Sequence, residues 1–182
     1  MKKPNLGIFG PAGCGKGIAS GYLAKKYNYK IINLGNIVRA LARKENIRPT
    51  RENLEKLQAK YSKKYHEDFV IEHALEKANN LKRPVILDGI RKPVQAKLAK
   101  QKLKAKLILV NASSQVRFKR MKLRHRAGFS KTLKEFKRVE AKENKVFRLN
   151  KTLGYADYKV DNSKDKKWLY NQLDALMKKL IE

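Results

Sequence analysis

The sequence predicts a doubly wound α/β fold on three observations. Short apolar runs alternate with longer amphipathic stretches, a glycine-rich loop joins the first run to the first stretch, and the 182 residues suit one sizeable core. Strands that alternate with helices need crossover connections, which give a parallel sheet covered on both faces. One domain with small insertions follows.

The elements can be taken in order. The run NLGIFG (5–10) reads as a short buried strand, and KGIASGYLAKKY (16–27) as a helix with Ile18, Tyr22 and Leu23 on one side. YKIINL (29–34) is a second strand and 35–46 a helix; RPT (48–50) breaks the chain, and Thr50 is positioned as N-cap of the next helix. A further helix covers about 66–80. RPVILDG (83–89) is too short for a helix and is bounded by Pro and Gly, so it reads as a strand; KLILVNAS (106–113) is another and YADYKVDNS (155–163) a weaker fifth. Helices near 93–103, 113–126, 132–145 and 164–181 separate them, and RHRAGFSKT (124–132) is the segment expected to move. In such sheets ligands lie at the carboxyl ends of the strands. That rule gathers Gly10–Lys16, Gly35–Arg39, Asp88–Arg91 and the Arg-rich stretch 117–126 around one crevice.

Composition narrows the class. Cys14 is the only cysteine, which excludes an internal disulfide and a cysteine-based zinc site. No stretch approaches the roughly 20 apolar residues of a membrane span, and the start MKKPNLGIFGPAG lacks a signal-peptide pattern, so a cytoplasmic protein without a membrane partner is expected. The 45 Lys and Arg against 16 Asp and Glu leave a formal net charge of +29. Three readings stay open: nucleic-acid binding, substrates that carry several phosphates, and a lysine-rich bias spread over helix surfaces. No basic arm or aromatic ladder singles out RNA.

The stretch GIFGPAGCGKG (7–17) carries the strongest chemical signal. Gly10, Gly13 and Gly15 can take backbone angles closed to other residues and so aim successive N–H groups at phosphate oxygens. The helix starting near Lys16 adds its positive end, and the ammonium reaches the terminal phosphates. The predicted nucleotide loop comprises Gly10, Pro11, Ala12, Gly13, Cys14, Gly15, Lys16, Gly17 and Ile18. A phosphate loop of the form GxxxxGK normally continues with Ser or Thr, whose hydroxyl helps hold Mg²⁺, and Gly17 stands there instead.

Phosphoryl transfer also needs a metal site and further positive charge. Asp88 is read as ending the strand VILD beside the loop and contacting Mg²⁺ through water. Arg117, Arg120, Arg124 and Arg126 concentrate the minority base of this chain on one helix, where a planar guanidinium in a closing lid can cover a γ-phosphate. Arg39, one helical turn after Gly35 and Asn36, is suited to an acceptor's phosphate, with Arg43 a lesser candidate. His66, His73 and His125 have no metal-ligand spacing, and they are left without a role, as is Trp168.

GPAGCGKG, LGNIVR, ILDGIR, RFKRMKLRHR and ADYKVDNS occur in the order and spacing of the P-loop nucleoside monophosphate kinases, the adenylate kinase relatives, and the resemblance spans nearly the whole chain. RPTRENLEKLQAKYSKKYHEDFV is similar to small adenylate kinase-related and dephospho-CoA kinase-like proteins. The resemblance implies a three-layer P-loop NTPase fold with a five-stranded parallel sheet: a core of 1–34, 81–123 and 133–182, a helical acceptor-binding insert at 35–80 and a short lid at 124–132. It implies ATP as donor with Mg²⁺, Lys16 on the donor phosphates, and Arg120 and Arg124 as lid arginines. Arg39 and Arg91 would hold the acceptor phosphate, Gln95 would touch the acceptor base, and Arg138 would reach the transferred phosphate.

The chain departs from that family at defined points. Asn36 stands where many relatives have Asp, Arg91 comes one residue earlier than in the pattern DGFPR, and AGFSKT replaces an acidic pair in the lid. Adenylate kinases also read GKG but place Thr next, where this chain has Ile18. The expected activity is phosphoryl transfer from ATP to a small phosphate-bearing acceptor, a nucleoside monophosphate first. Dephospho-CoA, whose ribose hydroxyl would benefit from a carboxylate base such as Asp88, is the alternative acceptor. A basic RNA-binding P-loop protein with little kinase activity is the alternative from another class, and a monomer and a homodimer are equally compatible with the sequence.

Overall fold

A computed structural model describes residues 3–66, 69–123, 130 and 132–181. The strands are β1 (Leu6–Phe9), β2 (Lys30–Asn33), β3 (Val85–Ile90), β4 (Lys106–Asn111) and β5 (Tyr158–Asp161). They form one five-stranded sheet in the order β2-β3-β1-β4-β5, and every pairing is parallel. The helices are α1 (Lys16–Tyr27), α2 (Leu34–Lys44), α3 (Arg51–Lys64), α4 (Phe69–Asn79), α5 (Pro93–Leu103), α6 (Ser114–Lys122), α7 (Leu133–Phe147), α8 (Leu149–Leu153) and α9 (Lys166–Ile181). This is the expected P-loop kinase-like α/β architecture.

Strand periodicity of two sorts the core. Leu6, Ile8, Ile86, Ile108 and Val110 face one side, where α1 and α9 cover them with Leu23, Leu169, Leu173 and Met177. Phe9, Val85, Leu87, Leu107 and Leu109 face the other, against Ile37, Val38, Ile71, Ala74 and Ala96 of α2, α4 and α5. The central strands therefore carry continuous apolar runs, Val85–Leu87 in β3 and Leu107–Val110 in β4, because both of their faces are covered.

Element boundaries follow local chemistry. Thr50 caps α3 as expected, its hydroxyl accepting the Asn53 N–H at 3.2 Å. The strand read as ending at Asp88 continues to Ile90, because Gly89 at φ +90° allows a bulge where the β1 pairing steps from Ile8↔Asp88 to Phe9↔Ile90. The helix read over 132–145 extends to Phe147 and is followed by α8, the two separated by Arg148 at φ +52°. Of the expected lid at 124–132, only 130 and 132 are among the described residues, and Thr132 caps α7 by accepting the Glu135 N–H at 3.2 Å. Among the described residues no helix is long and apolar enough to cross a membrane.

Candidate nucleotide and acceptor site

The loop between β1 and α1 is built around close backbone contacts. At Gly15, φ is +95° and a Cβ would lie 2.1 Å from Asn162 Nδ2; at Gly10, φ is +144° and a Cβ would meet the Val110 carbonyl oxygen at 2.1 Å. Only glycine satisfies both the angle and the space. Asn162, buried at the end of β5, donates from Nδ2 to the Cys14 carbonyl at 2.8 Å, and its own N–H reaches the Asn111 carbonyl of β4 at 2.7 Å. The far edge of the sheet thus braces the phosphate loop. Gly13 also has positive φ, Pro11 and Ala12 are half-buried, and Cys14 is fully buried.

Lys16 opens α1 and folds across the loop, its Nζ donating to the Gly10 carbonyl at 2.8 Å and the Pro11 carbonyl at 3.0 Å. Its ammonium lies among the backbone groups expected to cradle phosphates. Gly17 is exposed, with open space where a Cβ would go, whereas Ile18 packs against the core between α1 and α9. Farther along α1, Asp174 of α9 accepts hydrogen bonds from Tyr22 (2.7 Å), Tyr27 (2.8 Å) and Lys26 (2.7 Å). Burial works to raise the Asp174 carboxyl, but Lys26 and the two tyrosines outweigh it and hold it below its ordinary value. Burial, then the hydrogen bond to Asp174, pushes the Tyr27 phenol up to about 12. This clasp anchors the helix that presents Lys16.

Asp88 sits beside β1, buried at 6% exposure. Its Oδ2 accepts from Asn33 Nδ2 at 2.7 Å, while Oδ1 is buried without a partner among the described residues. Asn33 ends β2 and caps α2; its Oδ1 accepts the Asn36 N–H at 3.0 Å and Arg39 Nη2 at 3.3 Å. Asn36 Oδ1 accepts from Arg39 Nε at 3.0 Å and Nη2 at 2.6 Å. Gly35 makes room for this, since a Cβ there would approach Asn33 Oδ1 at 3.2 Å and both terminal nitrogens of Arg39 at 3.4 Å. The expected Asp88, Gly35, Asn36 and Arg39 are brought together, with Asn33 as the link that sequence reasoning missed.

Arg91 follows β3 with a half-exposed side chain that lies 5.2 Å over the Phe147 ring and 3.8 Å from Glu143. Its backbone is fixed at both ends: Gln95 Oε1 accepts its N–H at 2.8 Å, and Thr152 donates to its carbonyl at 2.8 Å. Gln95 is buried at 3%, with its oxygen engaged in capping α5. Arg138 is exposed on α7, about half a turn from the side bearing Phe136, Glu140 and Glu143.

The arginine cluster divides. Arg117, grouped from the sequence with the lid arginines, is instead a buried strut: its guanidinium pairs with both carboxylate oxygens of Glu140, and it donates to the carbonyls of Ala112 (2.9 Å) and Ala12 (3.2 Å). Phe136 adds a ring 5.5 Å from the same guanidinium. Arg120 differs, donating from Nη2 to the Lys164 carbonyl at 3.2 Å and keeping Nη1 buried without a partner among the described residues. Arg124, Arg126 and His125 lie outside the described residues. His66 and His73 face Glu72 and Glu76, and Trp168 lies under Lys164 at 4.3 Å. Among the described residues no group of three or more His, Cys, Asp or Glu is placed to hold a metal ion.

Four buried side-chain polar atoms lack a partner among the described residues, and two of them are Asp88 Oδ1 and Arg120 Nη1. Buried polar groups are ordinarily paired, so an unpaired acceptor and an unpaired donor on segments that border the phosphate loop suit exogenous groups of opposite character.

Residues 9–137 match the model of a family described as an AAA domain. A UPF0200 protein of Methanococcus vannielii is 30% identical over 182 residues, covering 97% of this chain and 96% of its own length. One from Staphylothermus marinus is 26% identical and covers 96% of this chain and 92% of its own. In fold, the chain is similar to the shikimate kinase of Acinetobacter baumannii (TM-score 0.66, 12% identity, 99% of this chain and 96% of that one). It is also similar to a gluconokinase of Sinorhizobium meliloti (TM-score 0.59, 16% identity, 99% and 95%). The chain belongs to the AAA domain family and groups with the UPF0200 proteins, in a fold similar to that of the two kinases.

Proposed function

We propose that this protein transfers the γ-phosphoryl group of ATP to a small phosphate-bearing acceptor, a nucleoside monophosphate in the first instance. The observation that supports the reading is the hydrogen-bonded line from Asp88 through Asn33 to Arg39, which sets a guanidinium suited to an acceptor phosphate beside the strand next to the phosphate loop. Loop N–H groups, the start of α1 and Lys16 bind the donor phosphates. Arg120 supplies a donor to the transferred group, and Arg39 and Arg91 hold the acceptor's anion with forked hydrogen bonds. An acceptor phosphate is already nucleophilic, so the chain need only align the partners and balance charge. The unpartnered Oδ1 fits Asp88 to hold Mg²⁺ through water, and the ion would balance charge on the donor phosphates.

The same free oxygen favours a second reading, in which Asp88 accepts the proton of an acceptor hydroxyl such as the ribose of dephospho-CoA. The test is transfer from ATP to AMP, CMP, UMP, deoxynucleoside monophosphates and dephospho-CoA. Lys16→Ala is expected to lower turnover at least about 100-fold with the melting temperature unchanged. Failure of the wild-type protein with every acceptor would sink both readings.

A further inference from the structure

We propose that Asn33 is the positioning residue that couples the metal carboxylate to the acceptor arginine, an inference that rests on the kinase reading above. Residue 33 stands directly opposite Asp88 in the parallel register of β2 and β3, and it is also the first cap of α2. A primary amide has one acceptor oxygen and one donor nitrogen, and both are engaged. The orientation is dictated by the partners: the Asn36 N–H and Arg39 Nη2 require an acceptor, and the Asp88 carboxylate requires a donor.

Two consequences follow for the crevice. The 2.7 Å bond to Oδ2 fixes which carboxylate oxygen of Asp88 is engaged and leaves Oδ1 as the buried oxygen without a partner among the described residues, the one available to an exogenous group. The Arg39 guanidinium is tied to the other end of the same amide, so its position and that of Asp88 are not independent. Other side chains fulfil only part of this role. Serine caps a helix as well as asparagine does but is too short to reach Asp88 and Arg39, and aspartate has no donor for the carboxylate.

Asn33→Ser therefore separates the roles. If Asn33 only caps α2, the variant retains all function; if it positions Asp88 and Arg39, cation and acceptor affinities fall together while the fold stays. Binding is measured with Mn²⁺, a spectroscopically visible substitute for Mg²⁺, in the presence of a non-hydrolysable ATP analogue, and AMP binding is measured by calorimetry. We expect wild-type melting, unchanged affinity for the analogue without metal, and a loss of about tenfold in Mn²⁺ affinity, the usual size when a residue orienting a metal ligand is removed. AMP affinity should fall several-fold in the same variant. In an Asp88→Asn background the Mn²⁺ effect of Asn33→Ser should vanish, since the two changes act through one carboxylate. Wild-type Mn²⁺ and AMP binding by Asn33→Ser would overturn the proposal alone. Absence of metal-dependent analogue binding by the unaltered protein would overturn the kinase reading and the proposal with it.

Discussion

Arg117→Met tests whether the buried arginine holds the fold or touches phosphate. Methionine keeps an unbranched apolar stem against Phe136 but removes every donor. Breaking a fully buried ion pair from one side costs about 3–5 kcal/mol. The Glu140 side chain retains 24% exposure, so water relieves part of that, leaving about 2–3 kcal/mol. The carbonyls of Ala112 and Ala12 each lose a charged donor, adding about 1 kcal/mol together after partial rehydration. The sum is about 3–4 kcal/mol, which in a chain of this size corresponds to a fall in melting temperature of about 6–16 °C. Urea unfolding followed by far-ultraviolet circular dichroism measures it. Replacing both partners, Arg117→Met with Glu140→Met, should recover about 2 kcal/mol, because no unpaired carboxylate is left. Stability of Arg117→Met within 1 kcal/mol of wild type, together with a tenfold loss of nucleotide affinity, would refute the strut and return Arg117 to the phosphates.

Gly17→Ser is expected to be tolerated, since nothing lies within 4 Å of its added Cβ, and serine is a slightly better helix residue than glycine. It places a hydroxyl after the loop lysine, so on the kinase reading the Mg²⁺ concentration for half-maximal transfer should fall several-fold in a metal titration; an unchanged requirement would exclude the hydroxyl position from the proposed metal site. The clasp between α1 and α9 gives the pH dependence. Asp174 is depressed below 3.8 in the fold, so its stabilisation is complete above the unfolded value and is lost as pH falls through the folded one. Tyr27 is raised from 10.0 to about 12, so its contribution is complete below pH 10 and is lost as pH rises through that interval. Melting curves of Asp174→Asn should be flatter than wild type below pH 4 and between pH 10 and 12; curves parallel to wild type would remove the clasp from the account.

Much of the fold was legible because its signals are local. Apolar runs of strand length, the glycines before Lys16 and the Thr50 cap each report on residues a few positions away. The sheet's two-sided burial follows from runs such as VIL in β3, which leave no polar face. What escaped depends on residues distant in sequence. Asn162 braces Cys14 across 148 positions, Asn33 meets Asp88 across 55, and Arg117 meets Glu140 across 23 and on another helix. Local features were misread for a related reason: DG at 88–89 is compatible with a strand end, but the Ile90 pairing beyond it decides for a bulge.

The arginines show what pattern alone cannot distinguish. Arg117 and Arg120 are three residues apart on α6 and equally charged, and the local concentration of arginine groups both as phosphate candidates. Their surroundings assign them oppositely. Every donor bond that Arg117 makes reinforces the protein, to two carbonyls and to a carboxylate that neutralises it. Among the described residues, Arg120 donates to one carbonyl and keeps a buried nitrogen without a partner. The difference rests on desolvation: a buried donor already hydrogen-bonded gains little from a phosphate, whereas an unpaired one gains the full bond and relieves its own penalty. The same reasoning separates Asp88 from Glu140, both acids of the crevice region, since Glu140 is paired at both oxygens and Asp88 at one. On the proposed reading, the unsatisfied buried atoms of Asp88 and Arg120, rather than the number of charges, are what single these two residues out for substrate groups.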